Sequence, residues 1–599
     1  MNCINQRLEK LREVMKREHL AAFIFPSTDA HQSEYVAEHW QGRAWISGFN
    51  GSAGTAVVTL HSAALWTDSR YFLAAEELLR GTEYQLMKLK IEGTPTIAEW
   101  LATELLDSSS ENSSFEVGLD GMLNSYSETV ALISDLRKIG GITVRTNFDP
   151  LNNVWLDRPS IPLNPVEIQP LCYAGETCLS KIARIRTALR KLHADGMLVS
   201  SLEDIAWTLN LRGTDVHCTP VFVSYLLISS TNVTLFVDER KMSEDVLSYL
   251  KNNGIDIRSY EKIEDGIKDY SEYNILLDGE ETSYSLWKNV MCGEIVAASS
   301  PIPILKSVKN KIEIEGYRQA MLRDGVAMVK FLNWLKPAVE KGGQTEISIA
   351  QKLEKLRADQ KLFRDISFDT IAGYGPHGAI VHYEATAETD SVLKPEGLVL
   401  IDSGAQYQDG TTDITRTIAL GAVTEEMKHV YTLVLKGHIQ LELAKFPDGA
   451  AGTQLDALSR ECMWREGFNF LHGTGHGVGS YLSVHEGPHQ IRMEWKPTPL
   501  REGMTVTDEP GLYLTGKFGV RIENTLLITN YMQTDFGKFL QMEPLTLCPI
   551  DLTPIDVNML LPEEVDWLNH YHKTVFEKLS PFLNDDEVAW LHKVTLPIG

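Results

Sequence analysis

The sequence predicts a multidomain chain of combined α/β and α+β class: two similar α/β modules in tandem, then a β-rich domain with helices on one face of its sheet. Three observations lead there. Residues 10–25 (KLREVMKREHLAAFIF) read as an amphipathic helix running into a strand, and residues 184–200 (RIRTALRKLHADGMLVS) repeat that pattern. Within the same modules Leu65-Trp66-Thr67-Asp68-Ser69-Arg70 is echoed by Leu235-Phe236-Val237-Asp238-Glu239-Arg240. From about residue 366 the text turns β-rich, between helix-like stretches. A chance likeness between two amphipathic helices is the competing account of the repeat.

The elements follow in chain order. Residues 107–114 (DSSSENSS) form a polar loop inside the first module, and residues 156–169 (LDRPSIPLNPVEIQ), with prolines at 159, 162 and 165, form the first linker. Ser299-Ser300-Pro301-Ile302-Pro303 marks the second linker. Lys306 to Lys336 is expected to be helical and to stop at Pro337, because proline lacks an amide N–H. Thr345 opens a helix to about Gln360, and helices return near 424–446, 454–466 and 562–592. Leu398 to Ala419 reads as a hairpin, since Asp409-Gly410 lies between two β-rich runs.

Composition bounds the function. At 599 residues the chain exceeds one core, and two to four domains are expected. Its 56 basic and 81 acidic residues give a formal charge of −25, which disfavours nucleic acid and anionic membrane as partners and favours solubility. The seven cysteines (3, 172, 178, 218, 292, 462 and 548) are scattered and odd in number, which argues against a disulfide framework. Neither a signal-peptide core nor a run of eighteen apolar residues is present, so a reducing cytoplasm is the expected compartment.

The chemistry concentrates in the last two hundred residues. Asp402 ends the apolar run from Gly397, Asp413 follows the Asp409-Gly410 turn, and His476 stands within HGTGHGVG (472–479). Glu509 lies in TDEPG (507–511) and Glu523 in VRIEN (520–524). Four carboxylates and one imidazole carry too much like charge to gather without cations, and they suffice to hold two divalent metals. Asp402 and Asp413 fall roughly opposite one another across the hairpin, where β-carbons are about 4.5–5.5 Å apart; carboxylates so placed can bridge metals about 3.5–4 Å apart. An ordinary acidic hairpin would account for this pair alone, but not for the three downstream elements. His472 and His476 have the spacing of two ligands on a helix, yet the glycines between and after them make a helix unfavourable by about 1 kcal/mol each. The segment is therefore not a His-Glu-x-x-His site. A carboxylate-rich donor set suits a hard ion such as Mn2+.

The runs DSGAQYQDGTTDITR (402–416), HGTGHGVG, VHEGP (484–488), TDEPG and VRIEN resemble the metallopeptidase family with the pita-bread fold. Within it they are most similar to the aminopeptidase P subfamily in its long, three-domain form. PSTDAHQSEY (26–35), SGF (47–49) and WTDSRY (66–71) share that likeness, which covers nearly the whole chain. The resemblance implies two N-terminal domains of like fold at 1–155 and 156–305, and a catalytic domain with a C-terminal helical extension at 306–599. It also makes a true duplication the better account of the repeat. The ligand set would be Asp402 on one ion, Asp413 and Glu523 shared, and His476 and Glu509 on the other.

By the same resemblance, a metal-bridging hydroxide attacks the carbonyl before proline in Xaa-Pro-Xaa peptides, and Glu509 is both ligand and proton carrier. His382 and His485 stabilise the oxyanion or hold the substrate, and His472 shapes the proline pocket. Arg521, on the same strand face as Glu523, would pair with Asp413 or steady the substrate, or serve a purely structural ion pair. Arg70 is a weaker candidate for substrate contact from the N-terminal part. His377, His438 and His489 read as structural, and Trp464 and the Trp567–Trp590 helices as core or subunit interface. The implied assembly is a homodimer. An Xaa-Pro dipeptidase with the same ligands is the main alternative; a methionine aminopeptidase, a metal-free amidinohydrolase and a non-catalytic binding protein on this fold are the others.

Overall fold

The computed structural model describes residues 3–106 and 114–599, so the serine-rich loop, apart from Ser114, lies outside the described residues. The chain divides into two compact units, Met1–Ile168 with Thr177–Ile302, and Gln169–Glu176 with Pro303–Gly599.

In the first unit the duplication is structural. Helix Cys3–Arg17 buries Leu8, Leu11 and Met15 against Phe23 and Phe25 of strand Ala22–Phe25, and helix Cys178–Lys191, capped by Thr177, precedes strand Gly196–Val199 in the same way. Each strand is central to a six-stranded sheet. In the first sheet Ala22–Phe25 lies between Thr55–Thr59 (antiparallel) and Phe115–Leu119 (parallel). In the second, Gly196–Val199 lies between Tyr225–Ser229 (antiparallel) and Asn274–Leu277 (parallel). The outer strands repeat the same senses of pairing. The echoed hexapeptides also do the same local work. Arg70 Nε and Nη2 fork onto Asp68 at 3.0 and 2.8 Å, and Arg240 Nε and Nη2 fork onto Asp238 at 2.9 and 2.6 Å. Chance does not account for this much agreement.

The second unit has mainly antiparallel sheets. Strand Leu398–Ser403 pairs with Ile371–Tyr374 and with Ile414–Ala419. A second sheet runs Lys445–Pro447, Gly537–Pro544, Asn524–Thr534, Thr505–Asp508. Helices Glu425–Glu442 and Gly452–Trp464 pack together over a core that includes Val434, Leu435, Ile439 and Met463.

Two expectations are corrected. The helix expected to end at Lys336 runs Lys311–Lys341, through Pro337. A proline inside a helix costs about 3 kcal/mol, but here it falls near the helix end, and the buried Ala338 and Val339 beyond it favour continuation. The hairpin over 398–419 is interrupted: Ala405–Tyr407 turns aside to pair with Phe363–Ile366 and Gly410–Thr411. The direct partner of Asp402 is consequently Thr415, and Asp413 immediately precedes the returning strand.

Candidate metal centre

The central sheets bring the acidic residues together from four directions. Asp402 is the penultimate residue of strand Leu398–Ser403, and Asp413 enters strand Ile414–Ala419. Glu509 leaves strand Thr505–Asp508, and its N–H donates to Thr474 O at 2.8 Å. Glu523 sits where strand Phe518–Arg521 passes into Asn524–Thr534. His476 is the middle residue of the short strand Gly475–Gly477. The glycines there answer a steric demand: a Cβ on Gly475 would lie 1.9 Å from Thr507 O, and one on Gly477 2.4 Å from Glu486 O.

The side chains converge in a buried pocket. Ligand atoms of Asp413, His476 and Glu523 lie within 4.8 Å of one another. His476 Nδ1 donates to Gly477 O at 2.9 Å, and Nε2 faces Asp413 Oδ2 at 3.5 Å and Glu509 Oε1 at 3.4 Å. Asp402 gives Oδ2 to Arg521 Nη2 at 2.7 Å, while its Oδ1 is buried without a hydrogen-bond partner. Glu523 Oε2 accepts from Thr415 Oγ1 at 2.7 Å. An imidazole nitrogen and carboxylate oxygens facing one another across a buried space fit cation ligation, and the donor set is that of a hard ion.

Electrostatics agree. Burial, then Asp402 and Glu509, push the Asp413 carboxyl well above the usual range. Burial, then Asp413, Asp402 and Glu509, do the same to Glu523. Burial, opposed by Arg521 and reinforced by Asp402, pushes Glu509 up to about 8 from 4.5. Such a carboxyl binds more protons folded than unfolded. The metal-free protein should therefore be stabilised by this group below 4.5 and lose that contribution as pH rises toward about 8. Thermal melts of chelated protein over the upper half of that window check this. A melting temperature that climbs there would contradict it.

Arg521 is the hub of the pocket, and its ion-pair partner is Asp402 rather than the expected Asp413. Both carboxylates are near the strand end, and only the interrupted hairpin decides which one the guanidinium meets. Arg521 Nη1 donates to Tyr513 OH at 2.7 Å, and Nη2 also reaches Val381 O at 3.3 Å, next to His382. The Tyr513 hydroxyl in turn donates to His472 Nε2 at 2.8 Å, and His472 Nδ1 donates to Gly473 O at 2.7 Å. A single chain of hydrogen bonds thus links Asp402 to His472. Tyr513 was not singled out from sequence; its position four residues after Glu509, in a two-stranded ribbon with Arg521, was the available signal. Burial pushes its hydroxyl up to about 12, so it stays a donor.

His485 stands edge-on to His476, with ring centroids 4.5 Å apart. The loop carrying His382 is fastened by Glu346, the first residue of helix Glu346–Ala358. Its buried carboxylate accepts from Tyr374 N–H at 2.8 Å and from His377 Nδ1, Tyr383 OH and Ser391 N–H, each at 2.9 Å. His377 is thereby accounted for structurally, as is His489, whose Nε2 donates to Thr505 O at 2.7 Å. Arg70 belongs to the first unit, where Asp68 holds it and Glu34 lies 3.6 Å away.

The chain resembles known proteins along its whole length. The model of metallopeptidase family M24 matches residues 315–530, and that of the C-terminal region of peptidase M24 matches 538–598. Models of the creatinase/prolidase N-terminal domain match twice, at 7–139 and 157–313. A probable Xaa-Pro aminopeptidase P of Botryotinia fuckeliana is 41% identical over 625 residues, covering 100% of this chain and 94% of its own. The crystal structure of an X-prolyl aminopeptidase from Caenorhabditis elegans, described as a cytosolic enzyme with a di-nuclear active site, is 33% identical with a TM-score of 0.94 and full coverage of both chains. An Xaa-Pro dipeptidase from Bacillus anthracis is 26% identical with a TM-score of 0.51; the likeness covers 63% of this chain and 99% of that one. The chain belongs to metallopeptidase family M24, in its aminopeptidase P branch.

Proposed function

We propose that this protein is a metal-dependent aminopeptidase that releases the N-terminal residue from peptides with proline second. The observation that carries the reading is the gathering of Asp402, Asp413, His476, Glu509 and Glu523, with His476 Nε2 facing two of the carboxylates and one Asp402 oxygen buried without a hydrogen-bond partner. Those five residues would hold two divalent cations, Mn2+ by their donor chemistry. When bound, the cations supply Lewis acidity that activates water and polarises the scissile carbonyl. The di-nuclear site named for the nematode relative supports this stoichiometry.

The chain's own residues account for the rest. Glu509, whose proton affinity is raised by burial, is suited to take the water's proton and return it to the proline nitrogen, a poor leaving group unless protonated. His382 and His485 would steady the carbonyl oxygen. His472, its tautomer fixed by Gly473 O and Tyr513, would line the site of a proline ring that has no N–H to satisfy. Likeness along the whole chain to an aminopeptidase, against 63% to a dipeptidase, supports substrates that extend beyond proline. With added Mn2+, Xaa-Pro-Xaa peptides of three or more residues should be cut faster than Xaa-Pro dipeptides, and peptides with alanine second should resist. Faster cleavage of the dipeptides would make the protein a dipeptidase.

The division into 1–155, 156–305 and 306–599 is part of the same reading. So is a cytoplasmic setting, supported by seven free cysteines; no helix among the described residues is long and apolar enough to cross a membrane. For the homodimer, the second unit exposes Leu458 (41%), Trp464 (42%), Leu471 (60%), Met493 (50%) and Trp495 (69%) on or beside the helix Gly452–Trp464. A group of this kind is suited to a partner's surface. Trp464→Glu should convert a dimer to a 67.2 kDa monomer in light scattering. A dimer of unchanged concentration dependence would place the contact elsewhere.

A further inference from the structure

His438, which the sequence marks as an unremarkable helix residue, lies behind the pocket rather than in it. It sits on helix Glu425–Glu442 and is 0% exposed, as are Asp508 and Asn524. Asp508 and Asn524 are register partners on the paired strands Thr505–Asp508 and Asn524–Thr534. Each is the immediate neighbour of a pocket carboxylate, Glu509 and Glu523 respectively. Side chains alternate along extended backbone. While Glu509 and Glu523 face the pocket, Asp508 and Asn524 therefore face the helix behind it. There His438 Nδ1 lies 3.1 Å from Asp508 Oδ2, and Nε2 lies 3.2 Å from Glu442 Oε1. Asn524 Nδ2 donates to Glu442 Oε1 at 2.8 Å and approaches His438 Nε2 at 3.2 Å. Arg416 completes the array, donating to Asn524 Oδ1 at 2.9 Å and to the Glu523 carbonyl at 2.6 Å.

Ligand atoms of His438, Glu442 and Asp508 lie within 4.8 Å of one another and resemble a second ligand cluster, but the ring standing between the two carboxylates also makes them a bridge. The two carboxylates approach opposite nitrogens of one imidazole. Among the described residues neither Asp508 oxygen nor His438 Nδ1 has a hydrogen-bond partner, so their 3.1 Å approach is a polar contact and His438 is the polar group that the Asp508 carboxyl meets. The ring spans the gap between the strand end bearing Glu509 and the Glu442–Asn524 pair adjoining Glu523. A rigid spacer at that point sets the distance between two carboxylates that lie within the same pocket.

We propose that His438 is a positioning residue that fixes the separation of Glu509 and Glu523 from behind through Asp508, Glu442 and Asn524. This rests on the ligand reading given above. Because outer-shell partners of ligands are worth about 10–100-fold in metal affinity or activity, removal of the bridge should be felt in metal binding itself. His438→Asn keeps a polar group near the Nδ1 position and His438→Gln one near Nε2, so each preserves one half of the bridge; Asp508→Asn keeps volume and removes the charge.

The experiment is calorimetric titration of Mn2+ into the chelated full-length chain and each variant, with kcat and KM at saturating Mn2+ and thermal melts in both states. We expect both histidine variants to bind Mn2+ about 10–100-fold more weakly, with kcat reduced more than KM, and Asp508→Asn to match them. Variants that melt lower yet bind Mn2+ and turn over within twofold of the unaltered chain would make the array a packing feature only and overturn the proposal. A variant that does not fold leaves the decision to the other two. An unaltered chain that takes up no Mn2+ would overturn both this proposal and the ligand reading, which separates the two failures.

Discussion

Asp413→Asn should leave a folded protein that holds fewer than two cations and turns over at least about 10³-fold more slowly, the scale of losing a preorganised electrostatic partner in a water-excluded site. The reason is position. Asp413 is buried, its Oδ2 faces His476 Nε2 at 3.5 Å, and its ligand atoms share one small volume with those of His476 and Glu523. An amide at that position offers one neutral oxygen and an NH2 group that cannot ligate a cation, so it weakens ligation as well as removing charge. Removing a carboxyl whose proton affinity is raised by burial should also make the metal-free protein no less stable, and possession of a normal fold is then easy to verify. Elemental analysis together with kinetics settles the matter. Two tightly held ions with normal turnover would sink the assignment.

Glu509→Gln should cost more in turnover than in substrate affinity. In the function proposed above the residue has two tasks, as a cation ligand and as the group that carries a proton between water and the proline nitrogen. General acid–base assistance alone is worth about 10²–10⁴-fold. With Mn2+ raised until both sites refill, the remaining deficit should lie in kcat, and the pH dependence of kcat should lose the limb that reports this carboxyl. Recovery of full turnover at high Mn2+ would confine Glu509 to ligation. Arg521 and Thr507, which contact Asp402 and Glu509 respectively, are unchanged in this variant, so the frame of the pocket is preserved.

What the sequence disclosed depended on how local the governing physics is. The duplicated modules were legible because a helix running into a strand is a short-range pattern, and the Asp-x-Arg fork is complete within three residues. The gathering of Asp402, Asp413, His476, Glu509 and Glu523 was legible for a related reason. Each stands in a brief context, a strand end, a turn or a glycine run, that has little purpose without a site. Tyr513 and His438 were not legible in this way. Tyr513 matters through what Arg521 and His472 bring to it, and His438 through strands more than sixty residues downstream of it. The partner of Arg521 was misjudged because strand alternation gives the face of a side chain but not which of two carboxylates on that face it meets. Pro337 was misjudged because local propensity was outweighed by burial on its far side.

The fastening of residues 374–391 to Glu346 makes that segment a single latch. Its first and last donors, Tyr374 N–H and Ser391 N–H, and two side chains between them close on one carboxylate. No part can be released without exposing a buried charge to loss of its remaining partners, so partial opening is disfavoured relative to complete opening. In hydrogen exchange the amides of Tyr374 and Ser391, seventeen positions apart in sequence, would then report one common event. Between latched and open forms, His382 would have one working position rather than a range of them.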